Sequence, residues 1–217
     1  MQIAKLGVIG AGMMGAEIAL VFAMAGKSVM LNDTAQERLD EALKKLSAVL
    51  DTGISRKFWT EEDKTVTLAN IIPTTNLQDF SDRQMVIEAV FEDAEVKGKV
   101  FKKIDKILDP NCIVASNTSS ISITVLSANV SEARQKNFVG LHFFSPVHRM
   151  KLVEVINAMD SSAEALEVAT QACKDAGKIP IQVKDVVGFA VNRMLFALWN
   201  EALRLSLIHI SEPTRPY

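Results

Sequence analysis

Gly7-Val8-Ile9-Gly10-Ala11-Gly12-Met13-Met14-Gly15 decides the fold. The stretch closes a short apolar run, Ala4–Ile9, and opens a longer one, Met13–Ala25, with helical apolar spacing. Its last six residues spell G-x-G-x-x-G between a predicted strand and a predicted helix. Gly10 permits a tight turn, Gly12 lets the backbone approach a pyrophosphate, and Gly15 lets helix and strand pack closely. The free N–H groups and positive dipole at the helix start, around Ala11, Met13 and Met14, suit a phosphate. A second short strand, Ser28–Leu31, leads to Asp33, 18 residues after Gly15. A carboxylate there accepts from ribose hydroxyls and repels a 2′-phosphate. No arginine follows closely, Arg38 being placed on the next helix, so the pattern favours NAD over NADP. The bland alternative is a glycine-rich turn with Asp33 as a helix cap.

Outward from this motif the alternation continues. Gln36–Leu50 is amphipathic, with Leu39, Leu43, Leu46 and Leu50 on one stripe. Met85–Ala89, Ile113–Ala115, Phe138–His142 and Lys151–Ile156 read as strands, and Val96–Leu108 and Ala163–Ala176 as helices. Strands alternating with helices predict an α/β fold, Rossmann-type and doubly wound, with a mainly parallel sheet covered on both faces. Ser55–Lys64 reads as a break between helical pieces, and Lys184–Gly188 as a boundary before a last helical run, Phe189–Leu205.

The 217 residues carry 24 Lys+Arg against 26 Asp+Glu, a net charge of −2, which removes the electrostatic case for a nucleic-acid binder. With 48% hydrophobic and 23% charged residues the chain matches a globular domain. No apolar run is long enough for a bilayer and no secretory signal is visible, so neither membrane nor export is expected. Cys112 and Cys173 are too few for a disulfide scaffold and read as core residues in a cytoplasmic protein. No Cys/His cluster has metal-ligand spacing, and no G-x-S-x-G elbow is present.

Leu152-Val153-Glu154-Val155-Ile156 sets one carboxylate inside an apolar strand, where burial demands a partner. His142 ends the preceding strand, and two adjacent strands can bring the pair together, fixing the tautomer and leaving one ring nitrogen as a base. Periodicity alone leaves this open against a structural histidine and an edge-strand glutamate. His148 reads as a solvated loop residue. Ser116–Ser120 offers hydroxyls and amides at a strand's carboxyl end, where open α/β sheets bind ligands; a serine-rich capping turn looks the same.

Joint occurrence of Gly7–Gly15, Val86–Glu92, Ala115–Ser120, Gly140–Pro146 with Met150–Glu154, and Lys184–Phe189 with Val191-Asn192-Arg193 resembles the NAD-dependent 3-hydroxyacyl-CoA dehydrogenases. The matching stretches span nearly all of residues 1–204. The resemblance implies that His142 and Glu154 form the catalytic pair and that Ser119 and Asn192 position the substrate oxygen. It implies cofactor contacts at Glu92, Lys97, Ser119 and Ser145 beyond the glycine loop and Asp33. Arg56 and Lys57 resemble positions that meet coenzyme A, although a basic pair can equally be a solvated face. Ser145 stands where many members have Asn and others Ser. The implied activity interconverts (3S)-3-hydroxyacyl-CoA and 3-oxoacyl-CoA in fatty-acid β-oxidation or butanoate metabolism, with an acyl-CoA substrate and a homodimeric full-length form.

The resemblance further divides the chain into an NAD-binding domain at 1–187 and the first helix of a truncated all-α domain at 188–204. That helix is expected to expose Leu195, Phe196, Leu198 and Trp199 as a sticky surface. Residues 205–217, with Pro213 and Pro216, resemble translated read-through of a synthetic sequencing adapter, so the natural chain is expected to continue past about Arg204. Two other classes remain: a cofactor-binding or structural protein without turnover, and a Rossmann dehydrogenase acting on a simple hydroxy acid.

Overall fold

The structure is a computed structural model and describes residues 2–207. In chain order the elements are β1 (Lys5–Ile9), α1 (Met13–Met24), β2 (Ser28–Asn32), α2 (Gln36–Ser55), α3 (Glu61–Ala69) and β3 (Ile71–Thr74). A 3-10 turn (Leu77–Asp82) leads to β4 (Met85–Glu88), α4 (Ala94–Ile104), β5 (Ile113–Ser116), α5 (Ile123–Ser127) and α6 (Glu132–Gln135). Then come β6 (Phe138–Phe143), β7 (Leu152–Asn157), α7 (Ala163–Asp175), β8 (Ile179–Lys184) and α8 (Val191–Leu207).

The eight strands form one sheet in the order β3-β2-β1-β4-β5-β6-β7-β8. Neighbours from β3 to β6 are parallel, and β7 turns back antiparallel to β6 with His142 opposite Glu154. The strand order reverses between β1 and β4, opening the crevice where doubly wound sheets bind ligands. Two apolar layers flank the sheet. One joins α1, α2 and α7 to the strands through Phe22, Leu39, Leu46 and Val155. The other holds Phe80, Phe101 and Phe138, with Phe101 and Phe138 edge to face at 4.9 Å.

α1 is apolar almost all round because it is sandwiched between the sheet and α2 and α3. Thr60 and Asp63 form a reciprocal capping box that starts α3. α2 runs past the expected Leu50 to Ser55, and Gly53 in its last turn makes room for Trp59, since a Cβ there would lie 1.9 Å from the indole ring.

Two strands lack the apolar run that would have announced them. β3 and β8 are the sheet edges, carry Pro73 and Pro180, and are largely exposed, as edge strands can be. The connector from β8 to α8 includes the expected division at 187–188. It turns through two consecutive left-handed residues, Gly188 (φ 76°) and Phe189 (φ 48°). α8 continues through Leu207, into the stretch read as a foreign tail; residues 208–217 of that tail lie outside the described residues. Met194, Phe196, Leu198, Trp199 and Leu203 are exposed along α8. Among the described residues no helix is long and apolar enough to cross a membrane.

Gly140 lies in the middle of β6, where an added Cβ would meet Ile123 at 2.6 Å and Ile156 at 2.9 Å. Gly140→Ala is expected to lower unfolding free energy by about 1–3 kcal/mol through overpacking, as measured by urea denaturation. An unchanged urea midpoint would show that α5 yields freely.

Candidate active site

The glycine loop, Asp33, Glu92, Ser119, Ser145 and Asn192 follow the carboxyl ends of strands, whereas Arg56 and Lys57 follow helix α2. After β1, the glycine loop bends at Gly10 (φ 102°), where a Cβ would meet the Ala89 carbonyl oxygen at 2.7 Å. A Cβ on Gly15 would sit 1.8 Å from the Gly10 oxygen, so that glycine is fixed by contact between helix and loop. A Cβ on Gly12 would meet nothing within 4 Å: the backbone is bare toward open space at the start of α1. Asp33, after β2, accepts from Ala11 N at 2.9 Å and from Thr34 N at 2.7 Å, which ties the second strand end to the glycine loop.

Beneath the crevice lies a charge pair with no exposed atoms. Lys97 Nζ donates to Glu88 Oε1 at 2.7 Å and to the Asn117 carbonyl at 3.0 Å, and Ser116 Oγ donates to Glu88 Oε2 at 2.6 Å. Burial pushes the Glu88 carboxyl above the usual glutamate range, and the Lys97 ammonium works against that rise. Glu92, above the pair, accepts from Thr118 Oγ1 at 2.5 Å and Ser119 N at 2.8 Å. Burial pushes its pKa up, but those bonds and Lys97, 3.6 Å away, outweigh it and hold the carboxyl below its ordinary value. Glu92 thereby shapes the loop that presents Ser119.

His142 Nδ1 lies 2.7 Å from Glu154 Oε2, and its Nε2 lies 3.1 Å from Ser119 Oγ. Glu154 is fully buried and His142 is 4% exposed, so water does not compete for the contact. A carboxylate only accepts, so Nδ1 carries the hydrogen and Nε2 presents its lone pair to the serine side. The second Glu154 oxygen accepts from Ala190 N and Val191 N, both at 2.9 Å, at the start of α8. One carboxylate thus orients the imidazole and seats the helix that carries Asn192. Asn192 Nδ2 donates to the Ser119 carbonyl at 3.3 Å. The Phe144 and Phe189 rings stand tilted against the imidazole, with centroids 4.5 and 5.7 Å away. Asp185 accepts from Ser122 Oγ, Ile123 N and Thr124 N, pinning the exit of β8 to the start of α5.

Over residues 5–186 the chain matches the family described as the NAD-binding domain of 3-hydroxyacyl-CoA dehydrogenase. The chain belongs to the 3-hydroxyacyl-CoA dehydrogenase family. It is 40% identical to a probable 3-hydroxybutyryl-CoA dehydrogenase of Deinococcus radiodurans, over 96% of this chain and 74% of that protein. It is 45% identical to the fatty acid oxidation complex subunit alpha of Psychrobacter sp. (strain PRwf-1), over 90% of this chain but only 27% of that protein. Among solved structures, an (S)-3-hydroxybutyryl-CoA dehydrogenase from Ralstonia eutropha superposes with a TM-score of 0.95 at 39% identity, covering 98% of this chain and 74% of that one.

NAD is the cofactor of this dehydrogenase domain, and the residues present fit it. The glycine loop offers bare backbone of the kind a pyrophosphate needs, and Asp33 Oδ2, which among the described residues accepts only from Ala11 N, keeps a lone pair that would suit a ribose hydroxyl. Two sequence expectations need correction, on Arg38 and on His148. Arg38 does reach back toward Asp33, with Nη1 3.9 Å from Oδ1 and its guanidinium 5.9 Å from the Phe91 ring centre. Lys97 is fully buried and pairs with Glu88 at 2.7 Å and with Glu92 at 3.6 Å. His148 is not a solvated loop residue: its side chain is 14% exposed and lies against Glu17. Ser145 is exposed after β6, and Arg56 and Lys57 are exposed at the end of α2, with Lys57 left-handed (φ 62°). The sequence reading missed Phe144, Phe189 and Glu17. Of these only Phe189 left a trace, as an aromatic directly after a glycine turn. Cys112 and Cys173 are buried thiols pushed by burial to about 12, which makes them inert at neutral pH.

The two helix-start glycines separate binding from folding. Gly12 has ordinary helix-start dihedrals and empty space beside it, so Gly12→Ala should leave thermal stability within about 0.5 kcal/mol. The same variant should weaken NADH in a fluorescence titration. Gly15→Ala meets backbone and should lose about 2 kcal/mol or more of stability. Equal NADH affinity in Gly12→Ala and the parent would place the cofactor elsewhere.

Proposed function

We propose that this chain carries the catalytic base and cofactor site of an enzyme interconverting (3S)-3-hydroxyacyl-CoA and 3-oxoacyl-CoA. The observation that carries this reading is the Glu154–His142–Ser119 line, 2.7 and 3.1 Å long, which runs from a buried acid to an exposed hydroxyl at the carboxyl edge of an NAD-binding sheet. NAD, when bound over the glycine loop, supplies the acceptor for the substrate's C3 hydride. His142 Nε2 takes the proton of the 3-hydroxyl, and in the reverse direction returns it to the 3-oxo oxygen. Ser119 and Asn192 hold that oxygen beside the imidazole. Glu154 stabilises the imidazolium that forms, and its charge needs no water because three N–H donors already surround it. The Phe144 and Phe189 rings packed against the imidazole keep water off it.

Arg56 and Lys57 are the basic groups proposed for coenzyme A. They follow the helix α2, which walls a cleft of about 440 Å³ with α1. The relatives' names support a place in fatty-acid oxidation or in butanoate chemistry. Unpaired buried cysteines fit a cytoplasmic setting, and the exposed apolar stripe of α8 fits a homodimer of a longer form.

The test is acetoacetyl-CoA-dependent NADH oxidation by the parent, His142→Ala and Glu154→Gln. Loss of the base should cost about a hundredfold or more. Glu154→Gln offers an N–H to Nδ1, reverses the tautomer, and should cost on the order of 10⁴ in kcat. NADH affinity should stay within about threefold in both variants, since neither side chain lies on the glycine loop. Turnover that survives in His142→Ala would sink the mechanism; NADH binding without turnover in the parent would favour a cofactor-binding chain.

A further inference from the structure

Glu17 sits on α1, five residues past its N-cap Gly12. Its Oε2 accepts the Val147 backbone N–H in a short bond, the His148 N–H at 3.4 Å and the His148 ring Nδ1 at 3.2 Å. From the opposite side, Lys178 Nζ donates to the Val147 carbonyl and to the Met150 carbonyl at 3.0 Å. The Val147 peptide is thus held by a carboxylate at its N–H and by an ammonium at its oxygen, while its side chain is fully buried in the core that includes α1.

We propose that Glu17 is a positioning residue that locks the β6–β7 loop, which leaves β6 just after His142 and carries Ser145, to the phosphate-facing turn of α1. The proposal rests on the cofactor reading of that turn. A glutamate so near an anion-binding helix end is unfavourable for a pyrophosphate unless its charge is engaged. Here it is engaged by the loop. Glu17 and His148 keep only 15% and 14% of their side chains exposed, so the contact is screened little. Lys178 and, behind it, Cys173 face this contact from one side, while Arg38, Glu41 and Lys45 of α2 line the cleft that Glu17 shares. Burial pulls the Lys178 ammonium below its usual range, with Cys173 and Glu17 opposing. The lock gives the two halves of the crevice, glycine loop and histidine strand, a polar connection that bypasses the sheet.

Two readouts on the 217-residue chain test this: NADH affinity by fluorescence, and amide hydrogen exchange at Val147 and His148. Glu17→Ala removes the acceptor; exchange at both amides should speed by about tenfold or more and NADH should bind about fivefold or more weaker, on the scale of one charge-assisted hydrogen bond. Glu17→Gln keeps an oxygen for the Val147 N–H and should stay within about threefold of the parent in both readouts. If Glu17 acts only through its charge, both variants bind NADH equally and more tightly than the parent, and the proposal falls. It also falls if exchange at Val147 and His148 does not move in Glu17→Ala. Should Glu17→Ala not fold, His148→Ala removes only the ring contact, and smaller shifts in the same directions are expected; no shift overturns the lock. A parent that fails to bind NADH overturns the cofactor reading, and the exchange data then decide the lock alone.

Discussion

A single carboxylate with no access to water holds the site together. Glu154 stands in the middle of an apolar strand at 0% exposure, where an uncompensated charge costs several kcal/mol. It is compensated by one imidazole and two backbone N–H groups, which belong to two different parts of the site. The imidazole is the proposed base, and the backbone donors, Ala190 and Val191, sit at the entry to the helix that brings Asn192 to Ser119. The register of β6 against β7, His142 opposite Glu154, is therefore fixed by electrostatics as well as by the apolar alternation around it. The left-handed Phe189 is part of the same solution. A non-glycine residue at φ 48° is disfavoured, yet that turn aims the N–H groups of 190 and 191 at Glu154 and lays the Phe189 ring beside the imidazole.

The same device recurs along the carboxyl edge of the sheet. Asp33 accepts from the glycine loop, Glu92 from the Ser119 loop, Asp185 from the start of α5, and Glu17 from the loop after β6. Each carboxylate lies on one segment and is satisfied by backbone donors of another. Backbone N–H groups in loops would otherwise need water or a ligand. Acids that take them fix loop geometry without filling the crevice, and they leave other donors, at Gly12 and the start of α1, free for an anion.

How much of this was legible follows from the kind of signal each part leaves. β1, α1 and β2 carry a spacing motif whose glycines are dictated by close contacts, 1.8 Å at Gly15 and 2.7 Å at Gly10, so the motif is strict and easily read. The interior strands are continuous apolar runs because both faces are covered. β3 and β8 are edges, half solvated and interrupted by proline, and left no such run. Glu154 was visible because a lone acid in an apolar strand is a local anomaly. Its partner was not decided by pattern, since strand order is a property of the whole sheet. Glu17 was invisible for a different reason. An acid on a helix has many bland explanations, and the loop it holds lies 130 residues away in sequence. Lys97 shows another limit: its full burial against Glu88 follows from the packing of α4 on β4, which sequence alone does not reveal.

That buried pair also explains why the crevice floor can be polar without being soft. Lys97 and Glu88 would each be costly alone, and their contact at 2.7 Å would not by itself repay two desolvated charges. What closes the balance is the remaining valence: Ser116 and Val90 N donate to Glu88, and the Asn117 carbonyl takes another Lys97 hydrogen. Asn117 in turn accepts from Phe143 N, at the end of β6. Polar groups are therefore linked without a break from β4 through β5 to the strand of His142. Fully satisfied networks of this sort are rigid, because moving any member orphans another. The base is thus held from two directions, by Glu154 on its ring and by this floor at its strand, and the rigidity of both comes from hydrogen bonds that water cannot replace.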